Sequence, residues 1–83
     1  MKVTLKLYAS LGQYLPDGAR QNEAAIDVEE DMTISALLSR YNVPREACHL
    51  VLLNGIFQPP SVRGQTMLSS GDALAVWPPV AGG

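Results

Sequence analysis

The residues best placed to do chemistry are the last six, Pro78-Pro79-Val80-Ala81-Gly82-Gly83. A terminal Gly83 presents an α-carboxylate with a reference pKa of ~3.3–3.7, which is ionised at neutral pH and a poor electrophile. It becomes reactive only when another protein converts it to a mixed anhydride, for instance an acyl-adenylate made from ATP. Val80, Ala81, Gly82 and Gly83 narrow to residues without side chains, so a partner enzyme can admit them through a channel closed to larger residues. Pro78 and Pro79 stiffen the approach into an extended path poor in hydrogen bonds. Two terminal glycines alone are a weak signal, since many chains end so by chance. Two prolines before them, joined without a gap to a final strand, make it a much stronger one.

Other reactive residue types point less clearly to a site. Cys48 is the sole cysteine, which rules out an internal disulfide and a multi-cysteine metal centre. Cys48 and His49 are adjacent, but neighbours on a strand point to opposite faces and would not converge as a catalytic pair. Asp27, Glu29, Glu30 and Asp31 read as a solvated entry to a helix rather than as a metal site. Arg63, in a loop rich in proline and glycine, reads as a solvated arginine or one that pairs at the rim of a partner. No metal and no bound cofactor is expected.

Composition narrows the class. The chain has 83 residues, one domain's worth, and 47% of them are hydrophobic, enough for a packed core. The net charge is −2, with two lysines (Lys2, Lys6) and four scattered arginines. Nucleic-acid binding needs clustered cations to displace phosphate counterions, so that class is excluded. No apolar run approaches bilayer length and Met1 to Tyr8 is no signal peptide. A cytoplasmic protein, with no membrane association and monomeric when free, is expected.

The elements that must position the tail follow from periodicity. Lys2 to Tyr8 alternates, placing Val3, Leu5 and Leu7 on one face of a strand and Tyr8 on the other with Lys2, Thr4 and Lys6. Ala9 to Leu15 suggests a single helical turn, stopped by Pro16 and the turn pair Asp17-Gly18. A second strand is expected over Glu23 to Glu29, with Ile26 and Val28 inward. Thr33 reads as a helix N-cap, a contribution of ~1 kcal/mol. Ile34, Leu37, Leu38 and Tyr41 then form one helical face of about two and a half turns, ended by Asn42 and Pro44.

Leu50-Val51-Leu52-Leu53 is a continuous apolar run, which predicts a strand covered on much of both faces. Asn54-Gly55 is the strongest hairpin signal, because both residues tolerate the positive φ of a type I′ turn. Ile56-Phe57-Gln58 is a short return strand cut off by Pro59-Pro60. After the Gly71-Asp72 turn, Ala73 to Trp77 forms the last strand, with Leu74 and Val76 inward and Trp77 outward.

The order β, β, α, β, short β, β predicts an α+β β-grasp, or ubiquitin-like, fold. Its mixed sheet of four to five strands packs on one main helix. Periodicity also fits a ferredoxin-like domain, but Pro59, Pro60, Gly64 and Gly71 deny it a second full helix. Residues 1–78 are the expected domain and 79–83 a flexible tail. Tyr8, Phe57 and Trp77 fall on outward or edge positions, where exposed aromatics mark a partner interface; the alternative is that each packs under a loop.

Val51-Leu52-Leu53-Asn54-Gly55, Gly71-Asp72-Ala73-Leu74-Ala75-Val76 and the Pro78-to-Gly83 ending together resemble the MoaD/ThiS sulfur-carrier family. Leu7-Tyr8-Ala9-Ser10-Leu11 resembles the MoaD-type opening, so the likeness spans nearly the whole chain. The doubled proline favours the MoaD branch, the small subunit of molybdopterin synthase, over the thiamine-pathway branch. The resemblance implies that an E1-like enzyme uses ATP to adenylate Gly83. A sulfur donor then turns the carboxylate into a thiocarboxylate, and the large subunit of molybdopterin synthase receives the tail. It implies a carrier that contributes no acid, base or metal ligand of its own. A ThiS-type carrier for thiamine thiazole, a protein modifier joined through Gly83 to lysines, and an interaction module with an inert tail are the competing readings.

Overall fold

The computed structural model describes residues 1–79; Val80, Ala81, Gly82 and Gly83 lie outside them. Strand β1, Lys2–Leu7, buries Val3, Leu5 and Leu7 as the alternation requires. A 3-10 turn over Ala9–Tyr14 follows and sinks Leu11 into the core. Strand β2, Glu23–Asp27, pairs antiparallel with β1 and stops two residues before Glu29. Beyond Lys2↔Asp27 the strand meets only Met1, whose carbonyl accepts the Val28 N–H and whose ammonium donates to the Val28 carbonyl, each at 2.8 Å. Val28 is still buried, with Ile26.

Helix α1, Ile34–Arg40, begins where Thr33 Oγ1 accepts the Ala36 N–H at 3.1 Å. It has seven residues, two turns rather than two and a half, because Tyr41 is already its C-cap and Asn42 turns left-handed at φ 63°. So short a helix is unstable alone. Burial of Ile34, Leu37 and Leu38 against the sheet holds it in place.

Strand β3, Leu50–Leu53, returns through Asn54-Gly55 to β4, Ile56–Phe57. Asn54 and Gly55 take φ 52° and 83°, the doubly positive φ of a type I′ turn, and Leu53 pairs with Ile56. Pro59 then ends the strand, and residues 58–72 contain only a short 3-10 turn, Pro60–Val62. Strand β5, Ala73–Trp77, inserts in the centre. The sheet order is β2-β1-β5-β3-β4, with β1 and β5 parallel and every other neighbouring pair antiparallel. Leu74, Val76 and Val51 face the helix and are fully buried. This is the β-grasp arrangement: a five-stranded mixed sheet on one helix.

Three expectations are corrected. Strand β3 is not covered on both faces: Val51 is buried, but Leu50 is 36% exposed and Leu52 is only partly covered. The reason is antiparallel pairing with no second layer on that side. Cys48 and His49 are not strand neighbours either. Cys48 caps a 3-10 turn, Arg45–Ala47, and is buried, whereas His49 is exposed and precedes β3. Arg63 is not solvated. It is 6% exposed, its Nε donating to the Gln58 carbonyl at 2.8 Å and its Nη1 to the Cys48 carbonyl at 2.9 Å. The irregular segments 44–49 and 58–64 have few ladder partners, and a buried guanidinium ties their carbonyls together. Burial lowers the Arg63 pKa from its ordinary value.

Candidate functional site

The site is the end of β5 and the sheet face beside it. Hydrogen bonds hold β5 from both sides up to its last residue. The Tyr8 N–H donates to the Val76 carbonyl at 3.1 Å, and the His49 N–H donates to the Trp77 carbonyl at 3.0 Å. Pro78 and Pro79 follow at once and have no N–H to continue the ladder. The chain therefore leaves the sheet at a defined point. The adenylation and thiocarboxylate roles expected of Gly83, and the channel roles expected of Val80, Ala81 and Gly82, fall outside the described residues.

Directly opposed residues in a sheet share a face. On the face away from α1, the register aligns Leu50 with Trp77, then Leu52 with both Ala75 and Phe57. Tyr8 lies flat on Trp77, ring centroids 4.4 Å apart and planes 7° from parallel. Of the three aromatics read as interface candidates, Tyr8 and Trp77 are in contact and both half-buried, while Phe57 is 51% exposed on the edge strand. Leu50 and Leu52 bridge the gap between them. Sequence reading missed these two leucines, because a run of four apolar residues does not show which of its faces is left open. Ala73 and Ala75 keep the middle of this surface low, as small side chains on the central strand.

The other half of the same face is polar. Lys2, Thr4 and Lys6 of β1 oppose Asp27, Ala25 and Glu23 of β2, and Lys2 Nζ pairs with Asp27 at 3.1 Å. The apolar patch on β5, β3 and β4 is thus bordered by charge on its β1–β2 side, and exposed apolar patches of this kind mark protein-binding surfaces. In the acidic stretch before α1, Asp27 and Glu29 form solvated pairs, Asp27 with Lys2 at 3.1 Å and Glu29 with Arg40 at 3.3 Å. Among the described residues no three His, Cys, Asp or Glu side chains gather as metal ligands. No helix among the described residues is long and apolar enough to cross a membrane.

A side-chain clasp aligns the hairpin with the start of β5. Asn54 Nδ2 donates to Asp72 Oδ1 at 2.9 Å, and Asn54 Oδ1 accepts the Ala73 N–H at 2.9 Å. Asp72 Oδ2 also accepts the Ser69 N–H at 2.7 Å. The Asn-Gly and Gly-Asp turns, read separately in the sequence, are two halves of one device. It sets where β5 begins and so, along its five residues, where it ends.

A β-grasp domain that leads from its central strand straight into a Pro-Pro and Gly-Gly ending, beside an open apolar face, defines the class of ubiquitin-like carriers and modifiers. Within that class the chain belongs to the ThiS family, whose model matches residues 7–83. It thus lies in the MoaD/ThiS group of sulfur carriers.

Solved structures agree on the fold. SAMP1 from Haloferax volcanii is similar over the full length of both chains, with a TM-score of 0.67 and 26% identity. The thiamine biosynthesis protein ThiS from Geobacter metallireducens gives 0.62 at 21% identity, covering 96% of this chain and 99% of that one. A complex of subunits 1 and 2 of molybdopterin-converting factor from Helicobacter pylori matches over the full length of both chains, at 0.58 and 20% identity. No curated protein matches the chain significantly by sequence.

Proposed function

We propose that this protein is a sulfur carrier whose Gly83 carboxylate is adenylated by an E1-like enzyme and then converted to a thiocarboxylate. The carboxylate attacks the α-phosphorus of ATP and pyrophosphate leaves; a sulfur nucleophile then displaces AMP at the carbonyl carbon. The protein supplies the handle and the docking face, and the partner enzymes supply the catalytic groups and ATP. The doubled proline favours the MoaD branch, with delivery of sulfur to a pterin precursor in the large subunit of molybdopterin synthase. The likeness to a subunit of molybdopterin-converting factor supports the fold this branch requires, a fold it shares with ThiS.

The observation that carries this reading is the strand-to-tail junction. Trp77 ends a strand pinned on both sides, two prolines direct the chain out, and the exposed apolar face lies alongside. Intact mass spectrometry tests it after incubation with the activating enzyme, ATP and a sulfur source. The expected product is heavier by the exchange of one oxygen for one sulfur; persistent absence of that species overturns the reading. Deleting Gly83 abolishes the product while leaving the melting temperature unchanged.

A second reading is favoured by a specific likeness. SAMP1, with 26% identity, belongs to a protein named as a small archaeal modifier. Conjugation of Gly83 to lysines of other proteins uses the same adenylated intermediate, with an amine in place of sulfur. Isopeptide-linked adducts that carry the C-terminal peptide of this chain in lysates assign it; free thiocarboxylate without adducts assigns the carrier role alone.

A further inference from the structure

The helix side of the molecule holds a groove of about 450 Å³ between α1 and the two irregular segments that Arg63 ties together. Arg63 and Arg45 line it, with the hydroxyl residues Ser35, Ser39 and Ser61, and no carboxylate does. Ser35 and Ser39 stand four residues apart on α1, so they share one face of the helix. In a chain with eight acidic and six basic residues, a groove with two arginines and no acid is a local reversal of charge.

The Arg63 guanidinium is only partly used. Nε and Nη1 bond backbone carbonyls, but Nη2 is buried and has no hydrogen-bond partner. With no surface open to the groove, Nη2 acts there as a fixed positive charge behind the wall rather than as a donor to a ligand. The exposed Arg45 guanidinium fork matches the paired oxygens of a carboxylate or phosphate, and serine hydroxyls donate to the same oxygens.

We propose that this groove binds a small oxyanion, a phosphate or carboxylate group, through Arg45 and the hydroxyls of Ser35, Ser39 and Ser61, with the buried positive charge of Arg63 behind them. Its position on the helix side leaves the outer face and the tail free. The inference does not depend on the carrier reading, and its test needs no activating enzyme.

Amide chemical shifts of the full chain, followed during titration with inorganic phosphate and separately with acetate against sodium chloride of matched ionic strength, test it. Saturable shifts confined to Ser35, Ser39, Cys48 and Gly64 are expected. Saturation by phosphate alone assigns a phosphate-bearing ligand, and saturation by acetate as well assigns carboxylates too. Arg63→Lys risks the fold because Arg63 also bonds two carbonyls, so the deciding variant is Arg45→Gln on the exposed rim. It weakens binding about tenfold, the scale of one charge-assisted contact. Linear shifts without saturation, shifts spread equally over Lys2 and Lys6, or an Arg45→Gln titration equal to wild type overturn the proposal.

Discussion

Tyr8 and Trp77, sixty-nine positions apart in sequence, stack with ring centroids 4.4 Å apart at the point where the tail leaves the sheet. Parallel pairing of β1 with β5 brings them together, since Leu7 is in register with Val76. The stack therefore fixes the direction of the side chain directly before Pro78, and it presents one face of the indole beside Leu50.

Replacing Trp77 tests both consequences. Trp77→Ala is expected to lower stability by about 1–3 kcal/mol, since a half-buried aromatic and its partner contact are lost. Tyr8→Phe keeps the ring and changes stability little. A double-mutant cycle between Tyr8→Ala and Trp77→Ala should return a coupling of ~0.5–1.5 kcal/mol by urea denaturation. Additive losses would show that the rings merely lie near each other. Trp77→Ala should also weaken binding to the activating enzyme more than Lys6→Ala, as isothermal titration reads directly.

The Asn54–Asp72 clasp gives a second prediction. Asn54→Ala removes two side-chain hydrogen bonds and puts alanine at φ 52°, so a loss of about 1–3 kcal/mol is expected. Asn54→Gly keeps the backbone conformation and should cost less than Asn54→Ala. Equal losses in the two variants would mean that the positive φ contributes nothing.

Arg63 gives a third. Arg63→Met keeps much of the aliphatic bulk but leaves the Gln58 and Cys48 carbonyls without their donor, an expected cost of about 2–4 kcal/mol. The midpoint of chemical denaturation measures it. A neutral or stabilising result would show that apolar packing replaces the buried charge without loss.

Cys48 predicts a pH dependence. Burial raises its thiol pKa above the ordinary value, and the nearby Arg63 guanidinium offsets this only in part. The folded state thus holds the thiol proton at pH values where the unfolded chain has released it. Stability is fully present below the unfolded thiol's pKa and falls as pH rises from there towards the folded value. Cys48→Ala should flatten that alkaline limb of the stability curve; an unchanged slope would assign it to other groups. The same burial makes native Cys48 slow to alkylate at neutral pH until the chain is denatured.

Local pattern alone determined much of this protein. Alternation at Val3, Leu5 and Leu7, helical spacing at Ile34, Leu37 and Leu38, and the Thr33 cap are short-range features, each legible within a few residues. Asn54-Gly55 declared its turn because positive φ is a property of those two residues. The Pro78-to-Gly83 ending is likewise written in residue types, and the carrier chemistry proposed for Gly83 is read from them. What only the tertiary structure decided depends on pairing between distant segments. Which side of Leu50 and Leu52 stays open follows from β3 lying beside β5 with no second layer outside it. Arg63 is buried because two loops with unpaired carbonyls meet around it, and no local pattern encodes that meeting. Tyr8 and Trp77 were each visible as outward aromatics, but their stack exists only because the two ends of the chain form the central parallel pair of the sheet. Periodicity reports which face of an element is apolar; the packing of elements decides which neighbour that face meets.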